Sequence, residues 1–587
     1  MITTNVIDSI NSPSDLKNLS IEQMNILADE MRELIIKKVN TTGGHMGPNL
    51  GILETTIAFH NVFNSPVDKI VYDVSHQCYP HKILTGRKEG FTNPECYLKY
   101  TGYTAPQESE HDLFTVGHTS TAASLACGLA KARDLKGEKY NVVALVGDGS
   151  LSGGEALEGL DNAATLGSNI IIIINDNDMS IAENHGGVYG NLKELRETNG
   201  KAQNNFFKTL GFEYFYVEEG NNIEKLIETF KTVKDTDKPT IVHIHTQKGH
   251  GLDVAEQNKE AFHWILPGTL DAKPEQNQQP IEDYNSVTKE FILNKIKENK
   301  TTIAVCAATP GVFGFNPEFR EKLGKNYTDV GIAEEHAVAY SSALAKAGAK
   351  PILNLMSSFV QRTYDQLSQD LCLNNSPITL LIHWGGISSA DCTHLCTFDI
   401  PLISNIPNMV YLAPTCKEEY LAMLEYSYNQ NEHPVAIRVP AAALISTGVK
   451  DETDYSVLNK FKMAEHGEKV AVIGLGDFFE LGKQVKSELK NRFGFDATLI
   501  NPRFITGIDK DMLENLKSNH KVVITLENGE LDGGFGEKIS RFYGNSNMKV
   551  LNYGSFKEFS DRTPMDELLD RYRLKPELIV DDVEAII

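Results

Sequence analysis

Asp148 and Asn177 are the residues whose types and spacing most directly suggest chemistry. They lie 29 positions apart (177 − 148) in GDGSLSGGEALEGLDNAATLGSNIIIIINDNDMSI, which runs from Gly147 to Ile181. A carboxylate and an amide both present hard oxygens, the donors that Mg²⁺ prefers, and Mg²⁺ commonly shares its shell with phosphate oxygens. Gly147, Gly149, Gly153 and Gly154 let backbone N–H groups approach such phosphates, and the helix that follows offers its positive end. The pattern reads as a cradle for a diphosphate and Mg²⁺. A GDG turn alone would say little; joined to Asn-Asp-Asn at this distance it is far more specific.

Two parallel strands must deliver these groups. NVVALV, ending at Val146, is short, apolar and rich in Val, as a buried parallel strand should be. Glu155 to Leu166 puts Ala156, Leu157, Leu160, Ala163 and Ala164 on one helical face. Ile170 to Ile174 supplies the second strand. The unit is βαβ, and open α/β sheets bind ligands at the carboxyl ends of their strands.

The chain has 587 residues, too many for one hydrophobic core. Its net charge of −23 argues against a nucleic-acid surface, though a local cationic pocket can still hold a phosphorylated molecule. Eight cysteines form no disulfide framework, which suits a reducing cytoplasm. Cys392-Thr393-His394-Leu395-Cys396 does not match the usual zinc spacings. The N-terminus lacks the basic start and apolar stretch of a signal peptide, and no apolar run approaches the roughly 20 residues of a membrane span. The expectation is a cytoplasmic protein that binds neither nucleic acid nor membrane.

Ser20-Ile-Glu-Gln23 is a candidate capping box ahead of a helical stripe that includes Met24, Leu27 and Met31. Strands and helices then alternate to about Ile244, so residues 1–267 read as one α/β domain. Residues 268–300 read as a linker, because PGTLDAKPEQNQQPIEDY at its start is polar and rich in Pro and Gln. A second α/β domain spans 301–445, from TTIAVCAATPG past AIRVP, and a third spans 446–587, with VAVIGLGD and VVITLENG. The predicted fold is α/β, three successive doubly wound domains. GLGD is not a clean dinucleotide fingerprint and reads as a plain turn.

The motifs GGHMGPNLG (43–51), YDVSHQCYPHKILTGR (72–87), GHTSTAAS (117–124), NDNDMSIAENHGG (175–187), IAEEHAV (332–338) and SSFVQRTYDQ (357–366) occur in this order. Together with GDG…NDN they resemble the 1-deoxy-D-xylulose-5-phosphate synthase family of transketolase-like enzymes, over essentially the whole chain. The resemblance implies thiamine diphosphate and Mg²⁺ as cofactors and a homodimer with diphosphate, pyrimidine and C-terminal domains. The implied reaction joins pyruvate to glyceraldehyde 3-phosphate with loss of CO₂. It implies Asp148, Asn177 and the Met179 carbonyl as Mg²⁺ ligands, and Gly149, Ser150 and Lys248 facing the diphosphate. Gly117, His118 and Thr119 would also contact the cofactor. Glu334 would share a proton with its pyrimidine, against which Phe359 would pack. His45, His76, His118 and His263 would line the reacting centre, where a group that donates, accepts and titrates near neutrality is useful. Tyr79 and His81 would support that shell.

The acceptor half departs from the family pattern. Where the family carries Asp-Arg-Ala-Gly, this chain has His383-Trp384-Gly385-Gly386, and an indole cannot replace a guanidinium fork. The following loop, ISSADCTH, is one residue shorter. Met356 stands where Tyr is usual, and Pro48-Asn49 replaces a pair of small residues. Arg438, Arg362, Asp391 and His394 remain for substrate, with Trp384 facing the acceptor. Losing one charged contact would cost about 1.5–3 kcal/mol. Two alternatives therefore stand beside the synthase: a related enzyme using another aldehyde acceptor or a ketose donor, and a catalytically silent scaffold.

Overall fold

The computed structural model describes residues 5–272 and 282–587. The chain forms two compact units, Met1–Gln278 with Gly331–Ala333, and Gln279–Val330 with Glu334–Ile587.

The first unit is built on five parallel strands in the order Lys69–Tyr72, Val142–Gly147, Ile170–Asp176, Pro239–His245, Glu213–Val217. Ile170 to Ile174 are at most 1 % exposed, which explains the unbroken apolar run: both faces of the strand are covered. The predicted helix is Gly154–Ala164, and its cap at Gly153 accepts no larger residue because a Cβ there would collide with Ser120 Oγ. The capping box forms as expected: Gln23 N donates to Ser20 Oγ and Ser20 N to Gln23 Oε1, opening the helix Ile21–Thr42. A two-residue pair outside the main sheet joins Gly44–His45 to Trp264–Ile265.

The second unit holds two sheets. Six parallel strands run in the order Val410–Leu412, Val435–Pro440, Thr379–Gly385, Lys350–Met356, Thr302–Cys306, Tyr327–Asp329. Five more run Lys462–Glu465, Thr498–Asn501, Lys469–Gly474, His520–Glu530, Lys549–Ser555, the first of them antiparallel to its neighbour.

The linker expected at 268–300 is largely not one. Residues 273–281 lie outside the described residues, but Tyr284–Glu298 is a helix capped by Asp283, whose Oδ1 accepts from Ser286 N at 2.7 Å. Tyr284, Val287, Phe291 and Ile292 are buried at helical spacing, in the same core as the strand Thr302–Cys306. Before the break, Gly268 N and Leu270 N donate to the carbonyl and side chain of Asn40. Among the described residues no helix is long and apolar enough to cross a membrane.

Candidate active site

In the first unit, neighbouring strands end at Gly147 and Asp176, so the turns that begin at Asp148 and Asn177 emerge side by side. Asp148 is 1 % exposed, and its Oδ2 accepts from Met179 N at 3.1 Å and from Asn184 Nδ2 at 2.7 Å. Burial, and next the carboxylate of Asp176, push the Asp148 carboxyl well above the usual carboxylate range. Asn177 Oδ1 is buried without a hydrogen-bond partner, as are Ser180 Oγ and Asn184 Oδ1. Asp176 points elsewhere, because successive strand residues alternate: it pairs with Arg196 at 2.7 and 2.8 Å and with His243 Nε2 at 2.9 Å. Lys248 is buried, its Nζ donating to Ser180 O at 2.6 Å, and burial lowers it to about 8 against the pull of Asp148.

Buried acceptors without donors, beside a carboxyl that burial forces toward its neutral form, are what a cation would satisfy, and the buried Lys248 ammonium is what a phosphate would meet. The donor set fits Mg²⁺ and a diphosphate. Ser150 differs from expectation. Its hydroxyl donates to Asp73 Oδ1 at 2.6 Å, and Asp73 also accepts from Ser120 N and Ala122 N. That leaves Ser150 its backbone for a ligand, while Gly149 packs so closely that a Cβ would lie 3.0 Å from Ser180 Cα.

Three of the four predicted histidines come together. Ring centroids are 4.9 Å apart for His45–His76, 5.5 Å for His45–His263 and 5.3 Å for His76–His263. The strand pair Gly44–His45 with Trp264–Ile265 explains how AFHWI reaches GGH across the sequence. Burial, and secondarily Lys248, hold His263 well below the ordinary imidazole range, so it is neutral at pH 7. His118, half-buried between the buried Gly117 and the half-buried Thr119, sits on the loop before the helix Ala122–Lys136. His81 belongs to a different network, fully buried with Asp112 at 2.8 Å and His60 at 2.9 Å.

In the second unit, Glu334 opens the helix Glu334–Lys346 and is 3 % exposed. Burial pushes its carboxyl up to about 7, against Arg362, whose Nη1 lies 4.0 Å from Oε2. That Oε2 has no hydrogen-bond partner. Arg362, assigned to substrate from the sequence, thus stands beside Glu334. Phe359 packs edge-on to His394 at 5.9 Å, and His394 Nδ1 lies 3.4 Å from Asp391 Oδ1. Trp384 is 44 % exposed at φ +65°, where the strand pairing with Val435–Pro440 skips from His383 to Gly385.

Arg438, expected from the sequence to bind substrate, is held by protein groups in this structure. It is 4 % exposed; Nε donates to Asp399 Oδ2 at 2.6 Å, Nη2 to Oδ1 at 3.0 Å and to Asn528 O at 2.7 Å. A Cβ on Gly385 would collide with the guanidinium, so the chain closes over it. Asp399 and Asn528, together with Asn184 and Ser180, are the residues that sequence reasoning passed over. The last two stood in NDNDMSIAENHGG, where their polar types adjoining Asn177 were the available signal.

The transketolase pyrimidine-binding domain matches residues 286–445 and the transketolase C-terminal domain residues 459–579. With the parallel sheets, they define a transketolase-type α/β enzyme. A model described as 1-deoxy-D-xylulose-5-phosphate synthase covers residues 7–204 and 196–246. The chain is 36 % identical to 1-deoxy-D-xylulose-5-phosphate synthase of Clostridium tetani over 99 % of both chains, and 36 % identical to that of Dictyoglomus thermophilum over the same shares. It belongs to the 1-deoxy-D-xylulose-5-phosphate synthase family.

Proposed function

We propose that the chain condenses pyruvate with D-glyceraldehyde 3-phosphate, releasing CO₂ and 1-deoxy-D-xylulose 5-phosphate, as a cytoplasmic homodimer of three domains that binds thiamine diphosphate and Mg²⁺. The observation that carries the cofactor assignment is the orphaned Asn177 Oδ1 next to the buried Asp148. Asp148, Asn177 and the Met179 carbonyl hold Mg²⁺, while Lys248, Gly149, the Ser150 backbone and the Gly117–Thr119 loop hold the diphosphate. Bound thiamine diphosphate supplies a nucleophilic carbon that can store the electron pair freed by decarboxylation. Glu334, raised toward 7, would hold the proton to be shared with the pyrimidine, and Phe359 would cover that ring. His45, His76, His118 and His263 orient the substrates and hold the protons that move at the carbonyl oxygens. Asp391 and His394 receive the acceptor, with Arg362 adjoining.

A second reading concerns the acceptor. The commitment of Arg438 to Asp399 and Asn528, with Trp384 exposed next to the Gly385 that packs on its guanidinium, favours an aldehyde without a phosphate. CO₂ release from pyruvate, followed with thiamine diphosphate and Mg²⁺, separates the two. Strong stimulation by micromolar D-glyceraldehyde 3-phosphate supports the synthase, and stimulation by D-glyceraldehyde alone supports the second reading. No release with any acceptor overturns both.

A further inference from the structure

The short helix Gly47–Gly51 carries a polar side chain sealed from solvent: Asn49 is 0 % exposed. Its Nδ2 donates to the carbonyl oxygens of His45 at 2.8 Å and of His76 at 2.9 Å, and its Oδ1 accepts from Tyr79 N at 2.9 Å. All three partners are backbone groups of the segments that carry His45 and His76. Burying an amide costs free energy unless its bonds are made, and here they are made to two chain segments 31 residues apart (76 − 45).

The neighbouring contacts show what this bridge completes. Gly47 N donates to Phe262 O at 2.8 Å and Gly249 N to Gly47 O at 3.0 Å, tying the same helix to the segments before His263 and after Lys248. The pairing of His45 with Trp264 fixes the His45–His263 side of the imidazole triangle. Asn49 supplies a matching brace for the His45–His76 side, whose rings lie 4.9 Å apart. Pro48 costs this arrangement nothing, since it falls in the first turn of the helix, where its missing N–H would have no partner within the helix.

We propose that Asn49 is a positioning residue: its amide sets the separation and orientation of His45 and His76, and through them the rate of the chemical steps. What the histidines do rests on the proposed function. The geometry that Asn49 sets does not, because its three hydrogen bonds are all made to protein backbone.

The first measurement is the ring ¹H–¹⁵N spectrum of cofactor-free protein labelled with ¹⁵N-histidine, with His45 and His76 assigned by replacing each with Gln. In Asn49→Ala the signals of both rings should shift or broaden while those of His433 and His520, which belong to the second unit, stay in place. The second is steady-state turnover of the Mg²⁺- and thiamine diphosphate-loaded enzyme well below its melting temperature, counted per cofactor-binding site. We expect kcat to fall about 10- to 100-fold, with KM for pyruvate and cofactor affinity changing less than about threefold. Asn49→Ser keeps one donor and should fall between the two; it also serves if Asn49→Ala does not fold. A variant with a lower melting temperature but unshifted rings and kcat within twofold of the parent overturns the proposal. If the parent itself releases no CO₂, the proposed function fails while the ring spectra still decide the role of Asn49.

Discussion

Glu334 shows how a single side chain ties stability to activity. Its folded value of about 7 lies above the ordinary 4.5, so the folded state binds more protons than the unfolded chain between those limits. Stability therefore falls as pH rises through that window, by about 3 kcal/mol in the cofactor-free protein. Glu334→Gln should remove this slope, so that the variant gains on the parent between pH 4.5 and 7; urea titrations at pH 4.5 and 8 check it. Turnover should fall at least about 100-fold in the same variant. Arg438 makes the opposite case, a buried cation whose charge Asp399 meets. Asp399→Ala should cost about 3–5 kcal/mol, read as a lower unfolding midpoint, because it strands the guanidinium. Asp148 and Asn177 were legible in the sequence since short-range spacing and a βαβ unit bring them together. The partnership of Arg438 with Asp399 was not, because it spans 39 residues and two chain segments that only tertiary packing joins. Nothing local distinguishes an arginine that binds substrate from one already paired.

Elements decide where the histidines go. Gly44 has φ +133°, and a Cβ there would lie 2.9 Å from Tyr79 Oη. Gly44→Ala should lower stability by about 1–3 kcal/mol and weaken the Gly44–Ile265 pairing; faster amide exchange at Gly44 and His45 is the measurement. The helix Tyr284–Glu298 teaches a different lesson. Its apolar stripe was present in the sequence, but the Pro- and Gln-rich run before it drew the whole stretch into a linker. A start signal at Asp283 with Ser286 three residues on was readable, and periodicity after it should have outweighed composition before it. The strand runs fared better, because Val- and Ile-rich segments bounded by glycine turns leave few alternatives.

At the scale of the molecule, an acidic chain of net charge −23 keeps a buried lysine and several unsatisfied acceptors around Asp148. Ligands that satisfy them bind the folded state and not the unfolded one, and at 100 times the dissociation constant that linkage is worth about 2.7 kcal/mol. Thiamine diphosphate with Mg²⁺ should therefore raise the unfolding temperature, and EDTA dialysis should reverse it; identical melting curves would contradict the assignment of Asp148 and Asn177.

Lys248 gives that linkage a biological edge. Its cationic head, lodged against the carbonyl of Ser180, is a standing debt until an anion arrives. Quality control in a cell samples the opened form of a protein, so the abundance of this one would follow vitamin supply: starved cells would clear it and fed cells would keep it. Pulse-chase half-lives in thiamine-depleted and replete cultures would separate that behaviour from regulation of its synthesis.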